Sequence, residues 1–371
     1  MERGHEPAPG ADVPIIDGHI DVLQKLLANE DDPVRAFLTG RASGHVDLPR
    51  ALEGGMHSAF FAVYPPRDRQ DTLDDEARVD RARARVDASI RLLARIEEGG
   101  RGTFRRITDI ERLEDCLRSG RLGAILHFEG LDPIGSDIEM IEEYHRAGLR
   151  SAGLVWQRDN KLACAATSGP ASSDCGLTPL GRRVVHECNR LGILIDLSHI
   201  NEAGFKDVAG VSDAPLVATH SNAYVLSPHS RNLKDYQLDA IRDSGGIVGV
   251  TFCVLFLRDD LEPSSDTPVE TIVRHIDYIA SRIGFEHVGL GSDFDGTLVP
   301  NDIGDATGFP VVVEALRRHG LSEADLARAT HGNWARVLRA TWKTEPGTRA
   351  ECLPRSSPAQ AQASGEGMYN A

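Results

Sequence analysis

The sequence has no apolar stretch long enough to cross a bilayer, no Cys-x-x-Cys pair and no block of Lys or Arg. Each absence removes a class of protein. A spanning helix needs a run of about 20 apolar residues, and the opening MERGHEPAPGADVP lacks the apolar segment of a secretory leader, so a cytoplasmic protein without membrane attachment is expected. The six cysteines (Cys116, Cys164, Cys175, Cys188, Cys253, Cys352) lack the dense spacing of a secreted disulfide framework and read as reduced thiols in a reducing compartment. Basic charge is carried almost wholly by Arg, and the formal net charge is −15. That balance argues against a nucleic-acid groove and against docking on an anionic membrane, which leaves small-molecule chemistry.

What is present is a repeating pattern. Eight short apolar runs bounded by turn residues read as strands: VPIIDGH near residue 13, HSAFFAVYP near 57, LGAILHFEG near 122, LRSAGLVW near 149, GILIDLSH near 192, APLVATHS near 214, GIVGVTFCV near 246 and HVGLGSDFDG near 287. Helical patterns fill several of the gaps. In DDEARVDRARARVDASIRLLARIEEG, Val79, Val86, Ile90, Leu93 and Ile96 make one buried stripe, and interleaved Arg and Asp make a solvated face. SEADLARATHGNWARVLRATW opens with Ser-x-x-Asp, a capping-box variant, and is expected to close a barrel at its C-terminal end. Strand followed by helix, eight times over, predicts a (β/α)8 TIM-type barrel, and 371 residues suit one such domain. Its expected span is 13–343, after a flexible segment 1–12 and before a Pro/Ser/Ala/Gly-rich tail, 344–371, expected to be disordered.

The chemistry-bearing residues fall at the ends of these runs. His19 and Asp21 close the first, Glu129 the third, His199 the fifth, His220 the sixth and Asp293 the eighth. Active sites of this architecture form on the face made by the strands' C-terminal ends, so six such residues can meet in one cavity. A lone His or Asp at a strand end is usually structural; six together point to a metal site. His19 and Asp21, two apart, share a face of their strand and can serve one metal. Imidazole and carboxylate donors suit zinc, whereas calcium would take more oxygen ligands. His127, two before Glu129, belongs one layer deeper, where a hydrogen bond to a ligand is the expected role.

These residues lie in strings, DGHID, GGMHSAFFAVYPP, HFEG, DLSH, ATHSNAY, SRN and GLGSDFDG, whose order over roughly residues 14 to 340 resembles the membrane (renal-type) dipeptidase family of the amidohydrolase superfamily. The resemblance implies a first metal on His19 and Asp21, a bridging Glu129, a second metal on His199 and His220, and hence two zinc ions per chain. It also implies a substrate-carboxylate grip at Arg231, an acid/base at Asp293 and a homodimer. One position departs from the family. Where its peptidases carry His in a Leu-Thr-His context, this chain has LVWQRDN, with Trp156. An indole donates one N–H but cannot act as imidazolium, so Trp156 is taken as a substrate-binding or wall residue.

The implied reaction is hydrolysis of a dipeptide-like amide by a hydroxide shared between the zinc ions, with Asp293 moving the proton and Arg231 holding the free carboxylate. Other substrates of the same scaffold, such as N-acyl amino acids, lactones or deaminase substrates, are the rival reading, fed by Trp156. A metal-stabilised binding protein without catalysis is the third.

Overall fold

The computed structural model describes residues 13–66, 75–169 and 174–343; the segments 1–12 and 344–371, for which flexibility and disorder were expected, lie outside them. Among the described residues there are nine strands: β1 (Ile15–Ile20), β2 (Met56–Val63), β3 (Phe104–Arg106), β4 (Leu122–Glu129), β5 (Leu149–Gly153), β6 (Leu194–Asp196), β7 (Val217–Ala218), β8 (Ile247–Val250) and β9 (Val288–Leu290). All pairings are parallel, and β2 bonds to both β1 and β4 while β1 bonds to β9, so eight strands close on themselves. The result is the (β/α)8 barrel expected from the eight apolar runs. β3 is the addition. It pairs with Leu122–Ala124 at the start of β4, and β5 takes over the same edge from Leu126 to Glu129.

Strands of a closed parallel sheet are covered on both faces, outside by helices and inside by one another, which is why they read as unbroken apolar runs. Every residue of β4 is buried. Inside the barrel, Ile16, Phe60, Ile125, Leu194, Val217 and Ile247 form an apolar layer near the beginnings of the strands. The indole of Trp334, from the helix Asn333–Thr341, joins that layer and donates from Nε1 to the Leu290 carbonyl at 3.0 Å. Glycine at three positions makes room for it: a Cβ on Gly18, Gly249 or Gly289 would stand 2.5, 3.0 or 2.6 Å from the ring. The last helical segment therefore closes the barrel at the end where the strands begin, not at its C-terminal end. The apolar spacing gave a buried face but no direction along the barrel axis. Its start is as expected, with Ser322 accepting from the Asp325 N–H at 3.1 Å.

The helix Asp75–Gly99 buries Val86, Ile90, Leu93 and Ile96 as its periodicity predicts, together with Ala82 and Leu92, while Val79 is only half-buried. No helix among the described residues is long and apolar enough to cross a membrane.

The cysteines differ from expectation. Cys164 and Cys175 form a disulfide, whereas Cys116, Cys188 and Cys253 are free and buried; Cys352 lies outside the described residues. The two joined residues are 11 apart, a separation that says nothing of proximity until the chain between them folds back. With this pair bonded, cysteine usage no longer argues for a reducing compartment.

Candidate metal centre

Above the apolar layer the barrel turns polar. His19 is in β1 and Asp21 follows it, Glu129 ends β4, His199 lies three residues past β6 and His220 two past β7. The structure brings all five together, each less than a tenth exposed. Glu129 is the hub: its Oε1 lies 2.7 Å from His199 Nε2, 3.4 Å from His220 Nε2 and 3.5 Å from His19 Nε2. His19 Nε2 is in turn 3.7 Å from Asp21 Oδ1. Two groups of three result, His19–Asp21–Glu129 and Glu129–His199–His220, each with its donor atoms within 4.8 Å of one another and with the glutamate in common.

Both nitrogens of His19, Asp21 Oδ1 and Glu129 Oε2 are buried without a hydrogen-bond partner. Buried polar atoms are rarely left so, and such a concentration marks a place built for something else to bind. Electrostatics agree. Burial alone would keep the His19 ring neutral, but Glu129, Asp21 and Asp293 outweigh it and raise its pKa to about 10, so the acids call for positive charge. Glu129 is pushed well above the usual carboxylate range by burial, with Asp21 and Asp293 adding to the shift. His199 and His220 are held neutral, first by burial, the state in which an imidazole nitrogen can bind a cation.

A buried carboxylate lies beneath. Asp196 accepts from the N–H and hydroxyl of Ser198 (3.0 and 2.7 Å) and from those of Thr219 (2.8 and 2.7 Å). Asp196 also lies within 4.8 Å reach of His19 and His220, but its oxygens are already occupied by these donors. His127 is a layer below Glu129, as its spacing predicts, yet it bonds to Ser151 (2.9 Å) and faces Asp196 (3.6 Å) rather than a ligand residue. Asp17 supports the other side. It accepts from the Ser292 N–H at 2.7 Å and the Ser292 hydroxyl at 2.5 Å, tying β1 to the turn that carries Asp293.

Asp293 reaches the same cavity from the end of β9. Its N–H donates to the His19 carbonyl at 3.0 Å, and its backbone is left-handed, with φ 63°. Asp295, with φ 65°, is left-handed too. Such geometry is uncommon outside glycine and persists when surrounding bonds enforce it. Here Arg41 Nη1 and the His45 N–H hold the Asp295 carboxylate at 2.8 and 2.9 Å. Desolvation, with a contribution from Asp21, pushes the Asp293 carboxyl up to about 7 against the pull of His19 and Arg231.

Arg231 is buried beside this group, its guanidinium 5.5 Å from the centre of the Phe256 ring and its Nη1 without a partner. Its guanidinium makes one long bond, from Nη2 to the His220 carbonyl at 3.5 Å, and its main-chain N–H donates to His229 Nδ1 at 3.1 Å. Asn222 and Asn232 both donate to the Phe256 carbonyl, at 3.2 and 2.8 Å, and so fix the aromatic floor under the arginine. Trp156, three residues past β5, stacks on Tyr64 with ring centres 4.4 Å apart and planes 20° off parallel. Its Cβ lies 3.4 Å from where Gly130, next to Glu129, would carry one. Trp156 is thus half of an aromatic wall beside the ligand cluster. Tyr64, Asp196, Ser198 and Thr219 were missed in the sequence: three of them sit inside the strings DLSH and ATHS, but one or three residues before a ligand and so out of phase with it in a strand's two-residue alternation.

A model of the membrane dipeptidase family, peptidase family M19, matches residues 10–351. The chain is 35% identical over 331 residues to the dipeptidase tcpJ of Claviceps purpurea, covering 87% of this chain and 76% of that protein. Among solved structures it is similar to the metallopeptidase dipeptidase AC of family M19, at 40% identity and a TM-score of 0.82 over 89% of this chain and 99% of the other. A metallopeptidase from Rhodobacter sphaeroides, solved with a phosphinate mimic of the dipeptide L-Ala-D-Ala, matches at 39% identity and a TM-score of 0.83 with the same coverage. Barrel, acid- and histidine-lined cavity and these likenesses lead to one assignment: the chain belongs to the membrane dipeptidase family, peptidase family M19, and is a metal-dependent dipeptidase by that membership.

Proposed function

We propose that this chain hydrolyses small dipeptides at a pair of zinc ions, one on His19 and Asp21, the other on His199 and His220, with Glu129 shared. The observation that carries the proposal is the glutamate common to two ligand groups, several of whose buried polar atoms lack partners. Nitrogen and oxygen donors in threes fit zinc sites that keep a position open for chemistry. When bound, such ions lower the pKa of water and polarise a carbonyl oxygen.

The protein's own groups do the rest. Asp293, with a carboxyl poised near neutrality, takes a proton from the attacking water and returns it to the departing amine. The buried guanidinium of Arg231, with an unused N–H, pairs with the substrate's free carboxylate. The Tyr64–Trp156 stack bounds the space for a substrate side chain. Likeness to the protein solved with the L-Ala-D-Ala mimic supports a substrate of that size. A homodimer belongs to the same reading.

Metal analysis joined to a panel of L,L- and L,D-dipeptides and N-acyl amino acids tests this. Two zinc ions per chain with cleavage of dipeptides is the expected result. Turnover of N-acyl amino acids alone would move the chain to the rival substrate class, and hydrolysis undiminished after chelation would remove the metal centre from the mechanism.

A further inference from the structure

Of the three histidines in the ligand cluster, His220 has its second ring nitrogen met by a side chain: Nδ1 lies 2.9 Å from Thr219 Oγ1, whereas His19 Nδ1 is buried without a partner. The direction of that bond follows from counting protons. Two obligate donors, the N–H groups of Ser198 and Thr219, both point at Asp196. A carboxylate can only accept. The Ser198 and Thr219 hydroxyls, each 2.7 Å from it, therefore spend their single protons on Asp196. The two hydroxyl oxygens are 3.4 Å from each other, longer than either bond to the acid. Having donated to Asp196, each oxygen is left to accept, and what each meets is His220: Ser198 Oγ takes the His220 main-chain N–H at 3.0 Å, and Thr219 Oγ1 faces Nδ1.

We infer that Thr219 is a positioning residue which, anchored by the buried Asp196, fixes His220 as the Nδ1-protonated tautomer and so presents the bare Nε2 lone pair to the second metal of the pair. The inference rests on the metal-centre reading above. His220 Nε2 lies 3.1 Å from His199 Nε2 and 3.4 Å from Glu129 Oε1, on the side where the second ion belongs. Hydrogen bonds to the remote nitrogen of a ligating histidine orient the ring and raise its basicity, and their loss typically lowers metal affinity by roughly 10- to 100-fold. The first ion, on His19, Asp21 and Glu129, touches none of these hydroxyls and should be indifferent to them.

The test is zinc occupancy under a graded chelator, for the wild-type protein, Thr219→Val and Thr219→Ser. Two ions are expected in the wild-type and Thr219→Ser proteins, and in Thr219→Val the loss of one ion at chelator concentrations roughly 10- to 100-fold lower. Nitrogen-15 NMR of the metal-free protein, with labelled histidine and His220→Gln to assign the signal, reads the tautomer without relying on occupancy. Wild type should show Nδ1 protonated. Wild-type retention of both ions in Thr219→Val, or a wild-type His220 protonated on Nε2, would overturn the role of Thr219, and a Thr219→Ser protein that loses the ion would do the same. A wild-type protein that takes up no zinc would instead sink the metal centre itself, so the two failures are distinguishable.

Discussion

Asp21 and Asp293 turn their carboxylates toward the same glycine. A Cβ on Gly296 would stand 2.2 Å from Asp21 Oδ2 and 2.3 Å from Asp293 Oδ1, so only a hydrogen fits between a metal-ligand candidate and the proposed proton carrier. Gly296→Ala should push both acids aside while the barrel survives, since overpacking one methyl costs about 1–3 kcal/mol. Misplacing reacting groups by an ångström can cost on the order of a hundredfold in rate. Dipeptide kinetics on the folded variant check this, and an unchanged kcat/KM would show that the crowding carries no functional weight.

Asp293→Asn keeps the shape of the side chain and removes its proton chemistry. Zinc content should stay at the wild-type level while kcat falls on the order of a hundredfold or more. Turnover close to wild type would dismiss Asp293 as the proton carrier.

Arg231→Ala should act mainly on binding. If its guanidinium grips the substrate carboxylate, KM for dipeptides rises while kcat for a substrate with an amidated C-terminus changes little. Equal losses on both substrates would point instead to collapse of the Phe256 floor against which the arginine packs.

The Cys164–Cys175 disulfide borders the metal site through the backbone. The Ala166 N–H donates to the His199 carbonyl at 2.8 Å, and Asn201 bonds to both cysteine carbonyls, from its N–H to Cys164 at 3.0 Å and from Nδ2 to Cys175 at 2.8 Å. Replacing both cysteines by serine opens a loop of 11 residues, for which a loss of about 2–3 kcal/mol in unfolding free energy is expected. Chemical denaturation measures it, and a loss below about 0.5 kcal/mol, within the range of neutral surface changes, would mean that the segment holds His199 without the bond.

His127 makes the metal-free protein sensitive to acid. Burial lowers its pKa from 6.5 to about 3, with Asp196 opposing and His19 assisting. As pH falls below 6.5 the unfolded chain binds a proton that the folded one refuses until about pH 3, so stability is lost across that window. His127→Gln should flatten the dependence of unfolding free energy on pH between 6.5 and 4, measured with chelator present. An unaltered slope would assign the acid sensitivity to other histidines.

The barrel and its ligand cluster were readable because both follow from one constraint. Strands covered on two faces are mostly apolar, so eight runs stood out, and polar residues gather toward the ends of the runs, which is where His19, Glu129, His199 and His220 sit. The strand Phe104–Arg106 carried no such mark, being three residues long with two arginines. The anchoring of His220 was invisible for another reason: Asp196 ends β6 and Thr219 follows β7, and only the pairing of these two strands sets their side chains 2.7 Å apart. The pairing of Cys164 with Cys175 and the end at which Trp334 enters are likewise matters of how the chain returns in space.

Trp334 gives the molecule a blind end. With its indole wedged among three glycines and Ile16, Leu194, Val217 and Ile247 packed around it, the lumen beneath His127 and Asp196 is sealed. Substrate entry and the departure of both product amino acids must then share a single doorway. The amino acid that gains the new carboxylate and the one that gains the new amine, whose own carboxylate is the one proposed for Arg231, have to leave in turn, and whichever exits last delays the next arrival.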